Sequence, residues 1–233
     1  MKVAIMQPYI FPYIGFFQMI KAVDIFVFYD DVNYIKGGWI NRNQININNK
    51  ATYFTVPLKN SSSFKKINEI EILKESRDYT KIIKSIEQAY KKAPYYEKVM
   101  PIIKDVISSD SQTISELSIE SIQVISNYLQ LKTEFKVSSM DFSYTIGLER
   151  SERLIEIVKE CNGNQYINAI GGKNLYSKEH FNNYGIELSF IQPHRIDYQQ
   201  FDNEFIPWLS IIDVLMFNSP AKVNEMLDQF QLI

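Results

Sequence analysis

A strand–helix–strand pattern at the start of the chain constrains its fold more than any other feature of the sequence. Val3–Met6 is a short, continuous apolar run that predicts a strand, and Asp24–Tyr29 is predicted as a second strand. Between the two strands, Ile14, Phe17 and Ile20 recur at helical spacing. Parallel strands need a crossover between them, and a helix usually supplies it, so this order predicts a βαβ unit and a parallel sheet.

The rest of the chain continues this alternation around a helical middle. Further strands are predicted at Tyr53–Pro57, Glu69–Leu73, Phe135–Ser138, Gln165–Ile170 and Ile186–Ile191, and further helices at Ser151–Cys161, Leu175–Tyr184, Ile211–Phe217 and Val223–Phe230. Apolar residues at helical spacing predict a helical insert over about residues 80–131, in which Thr113–Glu116 has the pattern of a capping box. We therefore expect an α/β, Rossmann-like protein with a mainly parallel sheet flanked by helices.

Length and composition exclude several classes of protein. The 233 residues are long for one domain and short for two, so we expect a single domain over residues 1–233. The net charge is −2 and the basic residues are scattered, which argues against extended nucleic-acid binding. Cys161 is the single cysteine, so no internal disulfide can form, and we expect a buried, inert thiol in a reducing compartment.

The sequence also predicts where the protein works and what it binds. Met1–Pro8 lacks the shape of a signal peptide, and no apolar run approaches the roughly 20 residues of a membrane span, so we expect a cytoplasmic protein without membrane insertion. Two histidines and one cysteine cannot build a zinc cluster. We expect no tightly bound cofactor, while a carboxylate-bound Mg²⁺ stays open. The high aromatic content would make a homodimer unsurprising.

Four loops are candidates for the functional site because ligands of parallel α/β sheets bind beyond the carboxyl ends of the strands. These loops are Gln7–Tyr13, Asp30–Asn43, Gly171–Asn174 and Gln192–Tyr198. In the first loop, prolines stiffen the backbone around Gln7, Tyr9 and Tyr13, which could stack a base or a sugar. Alternatively, the tyrosines only cover the end of the sheet.

The second loop carries acidic residues followed by a glycine-rich segment. Asp30 and Asp31 are adjacent carboxylates suited to a metal, a ribose or general-base work, although acidic pairs are also common in turns. The stretch from Lys36 through Gly37 and Gly38 to Trp39, together with Arg42 and Asn43, could cradle an anion. A β-turn with a surface arginine is the alternative.

Three further features are candidates for binding or proton transfer. Gly171, Gly172 and Lys173 form a second glycine segment, which we expect to lead into a helix amino terminus that favours anions, with Asn168 just upstream. His194 is the candidate acid or base, unless it is a hydrogen-bonded structural imidazole. Asp213 is a carboxylate within an apolar helix and needs a partner, for which Arg42 or Lys36 are expected.

Four long motifs resemble the signature of the WbqC-like family, and the match runs from near residue 3 to the carboxyl terminus. The motifs are Gln7–Phe17, Asp30–Asn43, Tyr166–Gly172 and Phe205–Ser219. The resemblance implies a link to bacterial surface-polysaccharide loci such as O-antigen clusters.

A second resemblance concerns the scaffold. The first strand, the segment Phe11–Phe16 and the helix that follows are similar to the nucleotidylyltransferase and pantothenate synthetase superfamily. That superfamily places an HxGH motif here to hold ATP phosphates, whereas this chain has Tyr13 and Phe16 at the two histidine positions. The absent histidines argue against adenylate chemistry. The intervening Gly15 is expected to serve close packing between helix and sheet.

Together these features predict an enzyme that transfers an acyl or aminoacyl group to a nucleotide-linked amino sugar for surface polysaccharide. In this hypothesis His194 is the general base, with Asp30 or Asp31 as substitute. The expected phosphate contacts are Lys36, Arg42 and Lys173, the expected base or sugar contacts are Tyr9, Tyr13 and Trp39, and Asp213 is expected to position a cation. The alternatives are an ATP-dependent ligase on the same scaffold and a non-catalytic partner of the polysaccharide pathway.

Overall fold

The strands of this computed structural model, which describes residues 1–201 and 204–233, form one large sheet and one hairpin. The large sheet contains β1 (Lys2–Met6), β2 (Ile25–Phe28), β5 (Glu134–Val137), β6 (Gln165–Ala169), β7 (Glu187–Pro193) and β8 (Phe230–Leu232), and the hairpin contains β3 (Arg42–Ile47) and β4 (Lys50–Thr55). The order in the sheet is β5-β2-β1-β6-β7-β8. Within this sheet all pairs are parallel except β7 with β8, which confirms the predicted α/β class with a mainly parallel sheet.

Helices cover both faces of this sheet. They are α1 (Ile14–Lys21), α2 (Arg77–Tyr90), α3 (Tyr96–Ile107), α4 (Ile114–Tyr128), α5 (Ser138–Asp141), α6 (Arg150–Glu160), α7 (Lys178–Asn182), α8 (Ile211–Phe217) and α9 (Pro220–Leu227). Side chains of one strand alternate between two cores: Ala4 and Phe26 pack with α1, α4 and α8, whereas Val3 and Val27 pack with α6 and α7. Burial on both faces explains why the central strands β1 and β2 are almost entirely apolar.

The helical middle segment lies between the hairpin and β5. Helix α2 begins after Ser76, whose side chain accepts from the backbone N–H of Tyr79. Helix α4 begins with the predicted capping box, in which Thr113 and Glu116 each cap the other's backbone N–H. These caps satisfy amide groups that the first turn of a helix leaves without partners. Helices α2–α4 therefore occupy residues 77–128, close to the predicted range.

The predicted and observed elements differ at several places. The predicted strand at Tyr53–Pro57 overlaps the end of β4 (Lys50–Thr55), and β3, its partner in the hairpin, was not predicted because its asparagines are poor strand formers. Residues Glu69–Leu73 form isolated bridges to other loops instead of a strand. The helix predicted over Leu175–Tyr184 is limited to Lys178–Asn182. Strand β8 was also missed, since three residues carry too little pattern.

Two features of this architecture bear on where a ligand binds. Chain order reverses between the central strands β1 and β6, and such switch points of parallel sheets favour ligand binding at the carboxyl ends of the strands. The hairpin extends from the loop that follows β2, so it projects from the same end of the sheet. Within residues 1–201 and 204–233, no helix has the length and apolarity needed to cross a membrane.

Candidate functional site

A cavity of about 710 Å³ lies beyond the carboxyl end of β1. Four parts of the chain contribute to its walls: the end of β1 with its loop, the glycine-rich loop (Lys36–Trp39), the hairpin and the segment before α8. The lining residues are Met6, Gln7, Tyr9, Tyr13, Ile35, Gly38, Trp39, Ile40, Asn43, Gln44, Tyr53 and Trp208. None of these described lining residues carries a charge. The cavity therefore suits the uncharged part of a ligand.

Two aromatic pairs contribute to the cavity wall. The rings of Trp39 and Tyr53 have centroids 5.8 Å apart, and those of Tyr13 and Trp208 are 6.2 Å apart. Trp39, Tyr53 and Trp208 are each about half exposed or more, so their faces are available. Exposed aromatic faces that line a cavity are typical of binding sites for ring-shaped ligands.

Tyr9 and Tyr13 are more deeply buried than the other aromatic residues of the cavity. Burial raises the pKa of Tyr9 far above its usual range and also raises that of Tyr13, so both phenols stay neutral. The Tyr9 ring stacks edge-on against Phe16 at 5.2 Å between centroids. A Cβ atom on Gly15 would come within 2.3 Å of the Tyr13 hydroxyl oxygen. Gly15 therefore leaves space for the Tyr13 ring, which differs from the expected packing between helix and sheet.

The amide side chains of the cavity fall into two groups. Gln7 and Gln44 make no side-chain hydrogen bond to any described residue, so their donors and acceptors remain available to a ligand. The Asn43 side chain is fully used, because its Nδ2 donates to the Phe11 carbonyl at 2.7 Å and its Oδ1 accepts from the Gln44 N–H at 2.8 Å. Asn43 thus fixes the loop after β1, whereas Gln7 and Gln44 line the cavity with side-chain amides that bond to no described residue.

The loop after β1 contains a strained residue at its centre. Phe11 is fully buried and has φ of +42°, a conformation that side chains other than glycine rarely adopt. Its carbonyl also accepts from the Ser210 hydroxyl at 2.7 Å, and its N–H donates to the Ser121 hydroxyl at 3.2 Å. Such strain persists when neighbouring contacts over-determine the backbone, and it is frequent at ligand sites.

Arg42 shapes the glycine-rich loop. Its guanidinium donates to the carbonyl oxygens of Gly37 and Gly38, and it lies 4.8 Å from the centroid of the Tyr53 ring. These donors are used within the protein, so Arg42 orders the loop that carries Trp39. Lys36, at the start of this loop, is exposed and does not line the cavity.

His194 lines a second, much smaller pocket of about 40 Å³ next to the cavity. Tyr13 and Trp208 line both pockets, which therefore adjoin at these two residues. The backbone N–H of His194 donates to the Gln229 carbonyl at 3.0 Å, which links the end of β7 to the segment before β8. The His194 side chain is exposed and makes no hydrogen bond to a described residue.

Asp30 and Asp31 lie in a buried network outside the two pockets. Asp30 accepts from the hydroxyls of Ser138 and Ser139 at 3.1 and 2.8 Å. Asp31 accepts from the same Ser138 hydroxyl at 2.6 Å and pairs with the guanidinium of Arg153 at 2.5 Å. These contacts join the end of β2 to α5 and α6, and both carboxylates are at most 4% exposed.

The segment Gly171–Lys173 is also separate from the lining residues. It forms a short 3₁₀ turn, and helix α7 begins only at Lys178, capped by Ser177, so no helix amino terminus lies at these glycines. A Cβ atom on Gly172 would come within 2.5 Å of the Asn168 side-chain nitrogen, so Gly172 serves the packing of that buried amide.

Asp213 is completely buried, but its partners are neutral groups instead of the expected Arg42 or Lys36. It accepts from the hydroxyls of Tyr90 and Tyr198 at 2.7 and 2.6 Å and from the Gln200 amide at 2.8 Å. Burial raises the pKa of the Asp213 carboxyl, and the hydrogen bonds from its partners lower it in part. The carboxylate ties α8 to α2 and to the segment that precedes Trp208.

The structure brings together six of the predicted binding residues. The cavity is lined by Gln7, Tyr9, Tyr13, Gly38, Trp39 and Asn43. Gln44, Tyr53 and Trp208 were missed as site residues. Tyr53 and Gln44 become neighbours of the loops only through hairpin pairing, in which they face one another across β3 and β4. For Trp208, its place in the motif Phe205–Ser219 was a usable signal.

Comparison with known proteins agrees with the family resemblance of the four sequence motifs. A model described as the WbqC-like protein family matches residues 7–225. The chain is 28% identical over 230 residues to the uncharacterized protein Rv1507c of Mycobacterium tuberculosis, and the match covers 97% of each chain. No solved structure matches.

Proposed function

The chain belongs to the WbqC-like protein family, and on that basis we propose that it is an enzyme of bacterial surface-polysaccharide synthesis. In this proposal it transfers an acyl or aminoacyl group to the amine of a nucleotide-linked amino sugar. The family resemblance implies the pathway, and the geometry of the cavity supports the kind of substrate.

The observation that carries the proposal is the uncharged cavity with two aromatic pairs and two free glutamine amides. One face of a sugar ring presents C–H groups, which pack well on aromatic rings. Hydroxyl groups at the ring edge need donors and acceptors, and Gln7 and Gln44 offer both. A phosphate would find no cation among the described lining residues, so the sugar part of the substrate fits the cavity best.

His194 is the proposed general base. Acyl transfer forms a bond between the sugar nitrogen and the acyl carbon and breaks the bond from that carbon to the donor's leaving group. The proton released by the amine must be accepted, and histidine exchanges protons near neutral pH. His194 lines the small pocket that shares Tyr13 and Trp208 with the cavity, so in this proposal the sugar amine lies at that shared edge, within reach of His194. Lys36, at the outer end of the glycine-rich loop, is the proposed contact for the phosphates.

Isothermal titration of the protein with a nucleotide-linked amino sugar, followed by an acyl-transfer assay, tests the proposal. We expect binding that weakens at least tenfold in Gln7→Ala combined with Gln44→Ala. Gln88→Ala, at an exposed glutamine outside the cavity lining, is the matched control and should bind normally. His194→Ala should bind the sugar but lose transfer. Absence of nucleotide-sugar binding would contradict the proposal.

A non-catalytic sugar-binding role is the second candidate. The observation that favours it is that no histidine, cysteine or carboxylate lies among the described residues that line the cavity. In that case the nucleotide sugar would bind, but no donor would give a product, and His194→Ala would have no effect on the pathway in cells.

A further inference from the structure

We propose that Trp208 is the specificity-determining residue of the cavity, and that it stacks on the amine-bearing ring of an amino sugar whose phosphates remain outside. This inference rests on the proposed function and deepens it. It assigns the sugar, and not the nucleotide, to the aromatic cavity, and it assigns a role to a residue outside the strands and helices.

The first observation is the backbone of Trp208. Its φ is +63°, in the left-handed region that a bulky side chain rarely adopts. Its side chain nevertheless remains 64% exposed, so burial of the indole does not compensate for this conformation. A strained, exposed tryptophan on the wall of a cavity is therefore placed there for a contact that the protein alone does not make.

The second observation is that anchors on both sides of Trp208 hold the backbone in place. On one side, the Gln200 side chain bonds both the N–H and the carbonyl of Ile206, at 2.8 and 3.0 Å. On the other side, the Ser210 N–H donates to the Gln44 carbonyl at 2.9 Å, and the Ser210 hydroxyl donates to Phe11. The short arch between these anchors presents Trp208 next to Tyr13.

The third observation concerns the chemistry of the walls. The C–H face of a sugar ring packs on the faces of tryptophan and tyrosine rings, which here belong to Trp39, Tyr53, Tyr13 and Trp208. An uncharged, largely apolar lining also disfavours the charged form of an amine and so favours the free amine that attacks an acyl carbon. A diphosphate gains nothing from these walls, because no described lining residue is a cation.

The test uses three probes with the purified 233-residue chain: dTDP-4-amino-4,6-dideoxyglucose, the methyl glycoside of the same amino sugar, and dTDP. We expect the methyl glycoside to bind and to compete with the nucleotide sugar. We expect dTDP alone not to displace the methyl glycoside. Trp208→Gly should weaken binding of both sugars at least tenfold while its melting temperature is unchanged or higher, because glycine adopts positive φ without strain.

Trp208→Phe retains an aromatic face and should retain part of the affinity, whereas Tyr144→Ala, at an exposed aromatic residue outside the cavity, should have no effect. If dTDP alone binds as tightly as the nucleotide sugar, or if Trp208→Gly binds the sugars normally, the inference is overturned while the proposed function survives. If none of the three probes binds, the proposed function itself fails.

Discussion

The side-chain nitrogen of Asn43 lies 2.7 Å from the carbonyl oxygen of Phe11, so the first strand of the hairpin holds the strained loop that follows β1. Through this contact, a cavity-lining residue fixes the backbone of a loop residue 32 positions away in the chain. Ser210 bonds the same carbonyl from the segment before α8. Three distant parts of the chain therefore converge on one backbone oxygen.

Replacement of Asn43 tests this clamp. Asn43→Ala should lower the free energy of unfolding by about 1–3 kcal/mol, because buried backbone groups lose their partners. Urea denaturation monitored by circular dichroism measures the change. Gln44→Ala is the matched control, since this neighbouring amide makes no side-chain bond to a described residue, and its stability should stay within about 0.5 kcal/mol of the wild type. Equal losses in both variants would contradict the clamp.

The close approach of Gly15 and Tyr13 predicts non-additive substitutions. Alanine is normally better than glycine in a helix by up to about 1 kcal/mol. In the wild-type background, however, Gly15→Ala should destabilise the protein, since the new Cβ atom would overlap the Tyr13 ring. In a Tyr13→Ala background the same substitution should be stabilising. Denaturation of the four proteins of this double-mutant cycle checks the sign change, and additive effects would refute the contact.

The buried ion pair of Asp31 and Arg153 predicts that Asp31, which the sequence made a candidate general base, stabilises the fold. Asp31→Ala should destabilise the fold by about 3–5 kcal/mol, because a buried guanidinium loses its charge partner. Glu225→Ala breaks the exposed pair with Lys222 and is the control, with an expected change below about 1 kcal/mol. Thermal denaturation compares the two, and a stable Asp31→Ala protein without transfer activity would restore the catalytic hypothesis.

The environment of Asp213 predicts a pH-dependent stability. Burial raises the pKa of this carboxyl in the folded protein above its ordinary value of 3.8. The folded state therefore binds this proton more tightly than the unfolded state, so its stabilising contribution is complete below pH 3.8 and is lost as pH rises through the folded pKa. As the pH rises from 3.8 through the folded pKa, the wild type should therefore lose stability relative to Asp213→Asn. Urea titrations of both proteins at a series of pH values measure this difference in unfolding free energy. A difference independent of pH would contradict this assignment.

Several parts of the site could be predicted from the sequence because they depend on local pattern. The loop Gln7–Tyr13 follows an apolar strand, and parallel strands place such loops at one edge of the sheet. Tyr9, Tyr13 and Trp39 accordingly line the cavity. Asp30 and Asp31 also follow a strand, yet their environment depends on Ser138 and Arg153, which are more than 100 residues away. No local pattern reveals such partners.

The sequence by itself determined the class of the fold, because alternating apolar runs and helical periodicities record which faces of each element are buried. It also determined the capping box of Thr113 and Glu116, whose contacts act within a few residues. Only the tertiary structure decided that Gln44 and Tyr53 join the cavity, that Arg42 bonds its own loop and that Asp213 is held by neutral groups. The physical reason is that hydrogen bonds and ring contacts require distances of a few ångströms, and folding sets those distances between residues that are remote in the chain.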